Sequence, residues 1–342
     1  MEKSDVEKSI AEQIDFVITW VDGNDIEWQR QKNIYLHKAD IDDRVVRYRD
    51  WDNLKYWFRG VEKYAAWVNK IYFATCGQLP AWLNTEHKKL VVVEHKDFIE
   101  SKYLPTFNSA AIEVNMHKIK GLSDKFVYFN DDMFIISPVN KSDFFVHNKP
   151  VDRGIENIIP LKLDKDLVVN NIMRNHVMLV NRHFDKRVFI KKNWNKWFSI
   201  QNRSDVIRNI LLSLWKDFCG FKTFHLPTAF LKSTFYEVEL LEREMLEKTS
   251  SHKFRTGSDV SQWLFQNWQI VSGNYILPKC NYGQYFETNI NNVELICKAI
   301  KKHRYKIICI NDEVYDNNFE RVRDAINNAF GEIFPEKSNF ER

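Results

Sequence analysis

The stretch Lys125-Phe126-Val127-Tyr128-Phe129-Asn130-Asp131-Asp132 decides how this chain is read. Its bulky, mostly apolar first half fits a short buried strand, and it stops at a cluster of turn-forming polar residues. Ile14-Asp15-Phe16-Val17-Ile18-Thr19-Trp20 has the same form and ends at Val21-Asp22-Gly23-Asn24-Asp25. Between the two, Lys70 to Thr75 and Lys89 to Val93 read as further strands. Leu54, Phe58, Val61, Tyr64 and Val68 recur at helical spacing, with Asp50 or Asp52 as the expected cap. Pro80 is expected near the start of a short helix, and Pro105-Thr106-Phe107-Asn108 opens another that buries Ile112, Met116 and Ile119. Strands alternating with helices predict an α/β fold with a mostly parallel sheet. Ligands of such sheets collect beyond the carboxyl ends of the strands, where the two acidic clusters stand.

Working outward, helical patterns dominate from about residue 145 to 245, with a basic-aromatic run at Lys186–Phe198. A strand at Lys306–Ile310, then Asn311-Asp312 and a terminal helix close the chain. There is no internal repeat or flexible linker. The expected organisation is one catalytic unit over 1–342: an α/β nucleotide-sugar half (14–145), a mainly helical insertion or acceptor region (146–245), and a C-terminal part (246–342) that completes the site. Residues 1–13 read as a polar leader without a signal region.

Composition excludes some classes. Of 342 residues, 44% are hydrophobic, enough for a real core. A net charge of +4, from 50 Lys+Arg against 46 Asp+Glu, is too even for a nucleic-acid binder. The five cysteines, Cys76, Cys219, Cys280, Cys297 and Cys309, are odd in number and lack a C-x-x-C pair. That argues against a disulfide framework or a zinc site and for a reducing cytoplasm. No run approaches the roughly 20 apolar residues that span a bilayer, which leaves surface attachment to a membrane as the closest association.

Asn130-Asp131-Asp132 is the strongest chemical signal. Paired carboxylates at a strand end suit a hard cation, Mg²⁺ or Mn²⁺, which would neutralise a diphosphate; the plain alternative is a solvated turn. Asp22 and Asp25 form the second cluster, for a ribose, a base or the same cation, and Gly23 allows close backbone approach. Glu113 and His117 are four apart on one expected helix. Glu113 is expected to reach inward and His117 to lie at the surface. His225, in Phe224-His225-Leu226-Pro227, has the chemistry of a general base but equally that of a core histidine. Arg255 has a planar fork for phosphate oxygens, with a surface pair to Asp259 as its alternative. The Lys186–Phe198 run suits an anionic acceptor, an anionic membrane, or simply a solvated helix face.

Together these segments resemble the Stealth family of sugar-phosphate transferases. The first of its four blocks resembles Ile14 to Gly23. The second begins at Arg47-Tyr48-Arg49-Asp50, departs slightly at Trp51-Asp52-Asn53-Leu54, and passes through Trp67-Val68 and Gln78-Leu79-Pro80-Ala81-Trp82-Leu83. It continues as Leu104 to Glu113 and closes at Tyr128-Phe129-Asn130-Asp131-Asp132-Met133-Phe134. The third resembles His225-Leu226-Pro227 with Ser251-His252-Lys253-Phe254-Arg255 and Asp259, and the fourth Ile310-Asn311-Asp312.

The resemblance implies a GT-A-like fold and a UDP-sugar donor, UDP-GlcNAc or a UDP-hexose. It implies a polysaccharide or lipid-linked oligosaccharide acceptor, and Mg²⁺ or Mn²⁺ at Asp131 and Asp132. It also implies catalytic roles for His225, Arg255, Glu113 and Asp131, and donor contacts from Asp22, Gly23, Arg49, Asn108 and Asn130. The expected reaction forms a phosphodiester and releases UMP, in the bacterial cytoplasm or at the inner face of the membrane. Two rivals stand beside it: a metal-dependent glycosyltransferase that releases UDP, and a non-catalytic carbohydrate-binding protein.

Overall fold

The computed structural model describes residues 13–36, 48–160, 166–279 and 282–342. The expected polar leader falls almost wholly outside these, as do Arg47 and Cys280. Strands β1 (Asp15–Thr19), β2 (Ile71–Thr75), β3 (Leu90–Glu94) and β4 (Lys125–Phe129) lie side by side, all parallel, in the order β3-β2-β1-β4. The mostly parallel α/β sheet is therefore present. Strand order reverses direction between β1 and β4, so the turns after these two strands become neighbours.

The sheet is held in register partly by a buried carboxylate. Asp15 accepts from Asn69 Nδ2 at 2.7 Å, Lys70 N at 3.0 Å and Ser123 N at 2.7 Å. These bonds satisfy a charge that burial alone would make costly.

After β4, β5 (Met133–Ile135) leaves the main sheet, and a small hairpin of β6 (Phe145–Val146) and β7 (Lys149–Pro150) follows. The region expected to be helical also supplies β8 (Thr228–Leu231), which pairs antiparallel with β4 at the sheet edge. A second sheet has the order β5-β10-β9, from β9 (Gly283–Thr288) and β10 (Ile307–Asp312). Neither β8 nor β9 was expected: β8 pairs with a strand about a hundred residues away, and Gly283–Thr288 lacks the apolar run that marks β1 to β4.

Alternation along the strands gives the main sheet two apolar faces. Phe16, Ile18, Phe73 and Phe129 join the core formed with α2 (Leu54–Tyr64), α10 (Val293–Lys301) and α11 (Phe319–Ile333). Val17, Ala74, Phe126 and Tyr128 join a second core with α8 (Lys232–Ser251) and α9 (Gln262–Val271), where Phe235 stacks on Phe265 at 3.7 Å. Helices α5 (Leu167–His183) and α6 (Lys186–Trp197) enclose a third, smaller core. Among the described residues no helix is long and apolar enough to cross a membrane.

Several local expectations are corrected. Neither Asp50 nor Asp52 caps α2; its N-cap is Asn53, without a side-chain bond, and the helix ends before Val68. No helix forms at Pro80: the chain turns there, Leu83 N donating to Pro80 O at 2.9 Å, and Leu83 bridges to Glu341 near the C-terminus. The helix expected over Ile112 to Ile119 is only α3 (Ser109–Glu113), followed by a tighter turn at Met116–Lys118. Asn115 Nδ2 donates back to Ala111 O at 2.8 Å, a side-chain bond that competes with helix propagation.

The basic-aromatic run splits by face. Lys186 is buried and donates to Glu156 Oε1 at 2.8 Å, while Phe189 and Trp197 fill the third core. Lys191 and Lys192 remain exposed.

Candidate active site

The turn after β4 carries Asn130, Asp131 and Asp132, and β10 fixes it: Ile310 N donates to Asp132 O at 2.8 Å. Asp132 Oδ2 lies 3.7 Å from His225 Nε2 and accepts from the Cys309 thiol at 3.3 Å. Its Oδ1 is buried and has no partner. Donor atoms of Asp132, His225 and Cys309 fall within 4.8 Å of one another. Cys309 was not expected here. Its signal in the sequence is only its place beside Ile310-Asn311-Asp312, and the cysteine pattern had argued against a zinc site. Burial, then the neighbouring Asp132 charge, pushes the Cys309 thiol well up, which favours its role as a donor to Asp132.

Solvent reaches Asp131, yet the protein around its carboxyl, then repulsion from Asp132 and Asp50, pushes its pKa up to about 7. Asp50 is raised first by burial, with Asp22 and Asp52 adding to it. Asp22, Asp50, Asp131 and Asp132 thus form a series of mutually repelling carboxylates across the ends of β1 and β4. An orphaned carboxylate oxygen within such a cluster fits a divalent cation. The hard oxygens of Asp131 and Asp132 suit Mg²⁺ or Mn²⁺, and an imidazole or thiol suits softer ions.

The turn after β1 is built for close approach. A Cβ on Gly23 would lie 1.9 Å from the Tyr48 carbonyl oxygen. Asp22 accepts from Asn24 N at 2.9 Å, and Gln78 clamps the Asp22 backbone from both sides, at 2.9 and 3.0 Å. Asp25 caps α1 (Ile26–Tyr35), accepting from Trp28 N at 2.7 Å, which is the plain reading of that residue.

Glu113 does reach inward. It is buried, accepts from Gln262 N at 3.0 Å and lies 3.4 Å from the Tyr128 hydroxyl. Burial raises its pKa, and the Arg255 guanidinium and the His225 ring oppose that rise. Arg255 donates to Ser109 Oγ at the start of α3 and forms no ion pair among the described residues. Its expected alternative partner, Asp259, is instead buried and bonded to His252 Nδ1 at 2.5 Å and Asn108 Nδ2 at 2.9 Å.

His225 occupies a left-handed backbone conformation, φ +46°, uncommon for a residue with a side chain. Its ring sits 5.3 Å from that of Tyr285 and 5.8 Å from that of Trp263. The His225 side of the site opens into a cleft of about 530 Å³, mouth included, whose walls include Asp152, Arg153, Trp263, Gln266 and Tyr282. Asp152 accepts from Gln266 Nε2 at 2.9 Å, and burial pushes its pKa up to about 6. The Arg153 guanidinium has no ion pair among the described residues and lies 5.6 Å from the Phe224 ring.

Three side chains singled out in the sequence have partners inside the protein. Arg49 spends its donors inside the protein, on Asp312 at 2.8 and 2.9 Å, Asp316 at 2.8 Å and Val314 O at 2.7 Å. These bonds hold the end of β10, and Asp312 is engaged in return. Asn108 is fully buried, caps α3 through Ala110 N at 3.0 Å and anchors Asp259. His117 is buried rather than exposed, 3.1 Å from Glu239, and lies on the tighter turn after α3 rather than on the helix that carries Glu113. The Asn130 side chain, by contrast, has no partner within the described residues.

Models of Stealth protein conserved regions match this chain: region 1 over residues 12–40, region 2 over 47–152 and region 4 over 298–342. A capsular polysaccharide phosphotransferase, WcwK of Streptococcus pneumoniae, is 42% identical over 97% of this chain and 98% of its own length. The receptor polysaccharide phosphotransferase WefC of Streptococcus oralis is 38% identical, over 96% and 99%. An exopolysaccharide phosphotransferase, cps2G of Lactiplantibacillus plantarum, is 36% identical over 96% of each. Among solved structures, mouse xyloside xylosyltransferase 1 aligns at a TM-score of 0.35 and 11% identity over 87% of this chain and 97% of its own; that likeness carries no argument. With three conserved regions and near-complete coverage by the bacterial enzymes, the chain belongs to the Stealth family and is, like those relatives, a phosphotransferase.

Proposed function

We propose that this enzyme transfers a hexose- or N-acetylhexosamine-1-phosphate from a UDP-sugar to a hydroxyl of a growing capsular or cell-wall polysaccharide. The acceptor oxygen attacks the phosphorus that bears the sugar. The bond from that phosphorus to the bridging oxygen of UMP breaks, UMP leaves, and the anomeric C–O bond stays intact. The observation that carries this reading is the Asp132 carboxylate, whose Oδ2 lies 3.7 Å from His225 Nε2 and whose Oδ1 is buried without a partner, while Arg255 reaches Ser109 on the short helix that carries buried Glu113.

Such transfers depend on positioning and charge neutralisation. Asp131 and Asp132 would hold Mg²⁺ or Mn²⁺, which supplies neutralisation of the diphosphate oxygens. Arg255 stabilises charge on the transferring phosphoryl group. Glu113, fixed by the Gln262 backbone, supplies a carboxyl group beside Arg255 and His225. Asp22, Gly23 and Asn130 face the donor. The acceptor sugar enters through the cleft, stacking on Trp263, with Asp152 and Gln266 for its hydroxyls. The enzyme works in the cytoplasm, at the inner face of the membrane. Incubation with a panel of UDP-sugars and Mg²⁺ is expected to yield UMP and a ³¹P phosphodiester signal in the polymer. UDP with a phosphorus-free product would overturn the reading in favour of glycosyl transfer.

His225 has two readings, because the nitrogen facing Asp132 serves either as general base or as a cation ligand. We favour the base. His225→Gln is then expected to lower kcat by about 10²–10⁴-fold without raising the Mg²⁺ requirement. A steep rise in that requirement, with kcat restored at high Mg²⁺, would assign His225 to the cation instead.

A further inference from the structure

Residues 194–215 place large apolar side chains in water. Ile200 is 88% exposed, Leu214 80% and Trp194 65%, and Ile207, Ile210 and Trp215 are each more than half exposed. A soluble monomer seldom gathers such residues without a use for them. Two buried asparagines join the segments that carry them. Asn202 Nδ2 donates to Lys196 O at 3.1 Å, and Asn209 Nδ2 to Trp197 O at 2.7 Å, fastening α7 (Val206–Leu212) to the end of α6. Ile207 and Ile210 are three apart and share a face of α7, which leads directly into Leu214 and Trp215.

The border of this surface carries more cations than anions, with Asp185 and Asp217 also exposed there. Arg187, Lys191, Lys192 and Lys216 are exposed and have no ion pair among the described residues. We propose that this patch is a membrane-docking surface, with Trp194, Ile200, Leu214 and Trp215 entering the interface of a bilayer rich in anionic phospholipid. Apolar insertion and headgroup attraction then act together, as on interfacial helices. Charge separates this occupant from a second copy of the chain. A two-fold interface sets the same patch against itself, bringing unpaired cations face to face.

The same segment borders the cleft. Arg203 is near enough to Arg153 for their charges to repel, and Asp205 holds Lys222 at 2.7 Å, whose ammonium lies 5.2 Å from the Phe224 ring of the cleft wall. A bilayer at the patch would bring the cleft mouth close to the headgroups, within reach of an acceptor held on lipid. That placement of the acceptor rests on the phosphotransferase reading; the lipid surface does not.

The test is cosedimentation of the full chain with phosphatidylglycerol–phosphatidylcholine vesicles and with phosphatidylcholine vesicles alone. Binding is expected to the first, to weaken with salt, and to fall about tenfold or more in Leu214→Ser/Trp215→Ser. Lys191→Gln/Lys192→Gln should weaken it and flatten its salt dependence. Both double variants change exposed side chains and should keep the wild-type melting temperature and turnover of a soluble acceptor. Equal binding by wild type and the Leu214/Trp215 variant, no binding to anionic vesicles, or a wild-type dimer that this variant dissolves would each overturn the proposal. Because vesicle binding needs no turnover, loss of the reaction reading would leave this result standing.

Discussion

Replacing Asp132 with asparagine is expected to lower kcat by about 10²–10³-fold and to raise the Mg²⁺ concentration that gives half-maximal rate. The substitution is nearly isosteric, so the turn after β4 keeps its backbone bond to Ile310 and the fold should melt at an unchanged temperature. What is lost is a charge. In the native chain that charge sits on a carboxylate with one oxygen facing His225 and Cys309 and the other buried without a partner. An amide at the same place offers one oxygen and no charge, a poor ligand for a hard cation. Removal of divalent ions with a chelator should bring the wild type to the same low rate, and Mg²⁺ should restore the wild type far better than the variant. Asp131→Asn is the comparison: if the two carboxylates share one cation, both variants shift the Mg²⁺ dependence. Unchanged metal dependence in Asp132→Asn would remove the cation from this turn altogether.

The parts of this molecule that were legible in the sequence are those whose signal is local. Strands β1 to β4 are short apolar runs ended by turn residues, and each can be read without knowing its neighbour. The acidic turns after β1 and β4 follow from the same runs. What was hidden depends on contacts between distant segments. β8 pairs with β4 across roughly a hundred residues, and nothing within Thr228–Leu231 reports that partner. Asp50 looked like a helix cap, yet its carboxyl belongs with Asp22 and Asp131. Cys309 looked like one of five unremarkable cysteines until β10 brought it to Asp132. Arg49 and Asn108 show what a motif leaves out. Their resemblance to family motif positions suggests donor contacts, and the structure adds that their side chains brace Asp312 and Asp259. A motif marks where a residue matters, and it leaves open whether the residue touches a ligand or holds the one that does.

Arg255→Ala is expected to cost about 10²–10³-fold in kcat, with a smaller change in the KM of the UDP-sugar. The argument rests on what the guanidinium does not do. A structural arginine at this depth would be neutralised by a carboxylate, as Arg49 is by Asp312. Arg255 has Asp259 four residues away, but that carboxylate is committed to His252, Asn108 and Thr256. Its recorded hydrogen bond goes to the neutral Ser109 hydroxyl, which steers the fork without quenching its charge. Glu113 lies close enough to feel that charge but is itself buried and bonded to the Gln262 backbone. On the proposed reading, its remaining donors are free for the oxygens of a transferring phosphoryl group. Arg255→Lys keeps the charge and loses the planar fork, so it should recover little of the rate. Millimolar guanidinium should recover part of the activity of Arg255→Ala, a rescue that a purely structural role would not show. Ser109→Ala, which frees the fork without removing it, should fall between wild type and Arg255→Ala. If guanidinium has no effect, and Arg255→Lys matches the wild type in kcat, the phosphoryl clamp must be sought elsewhere in the site.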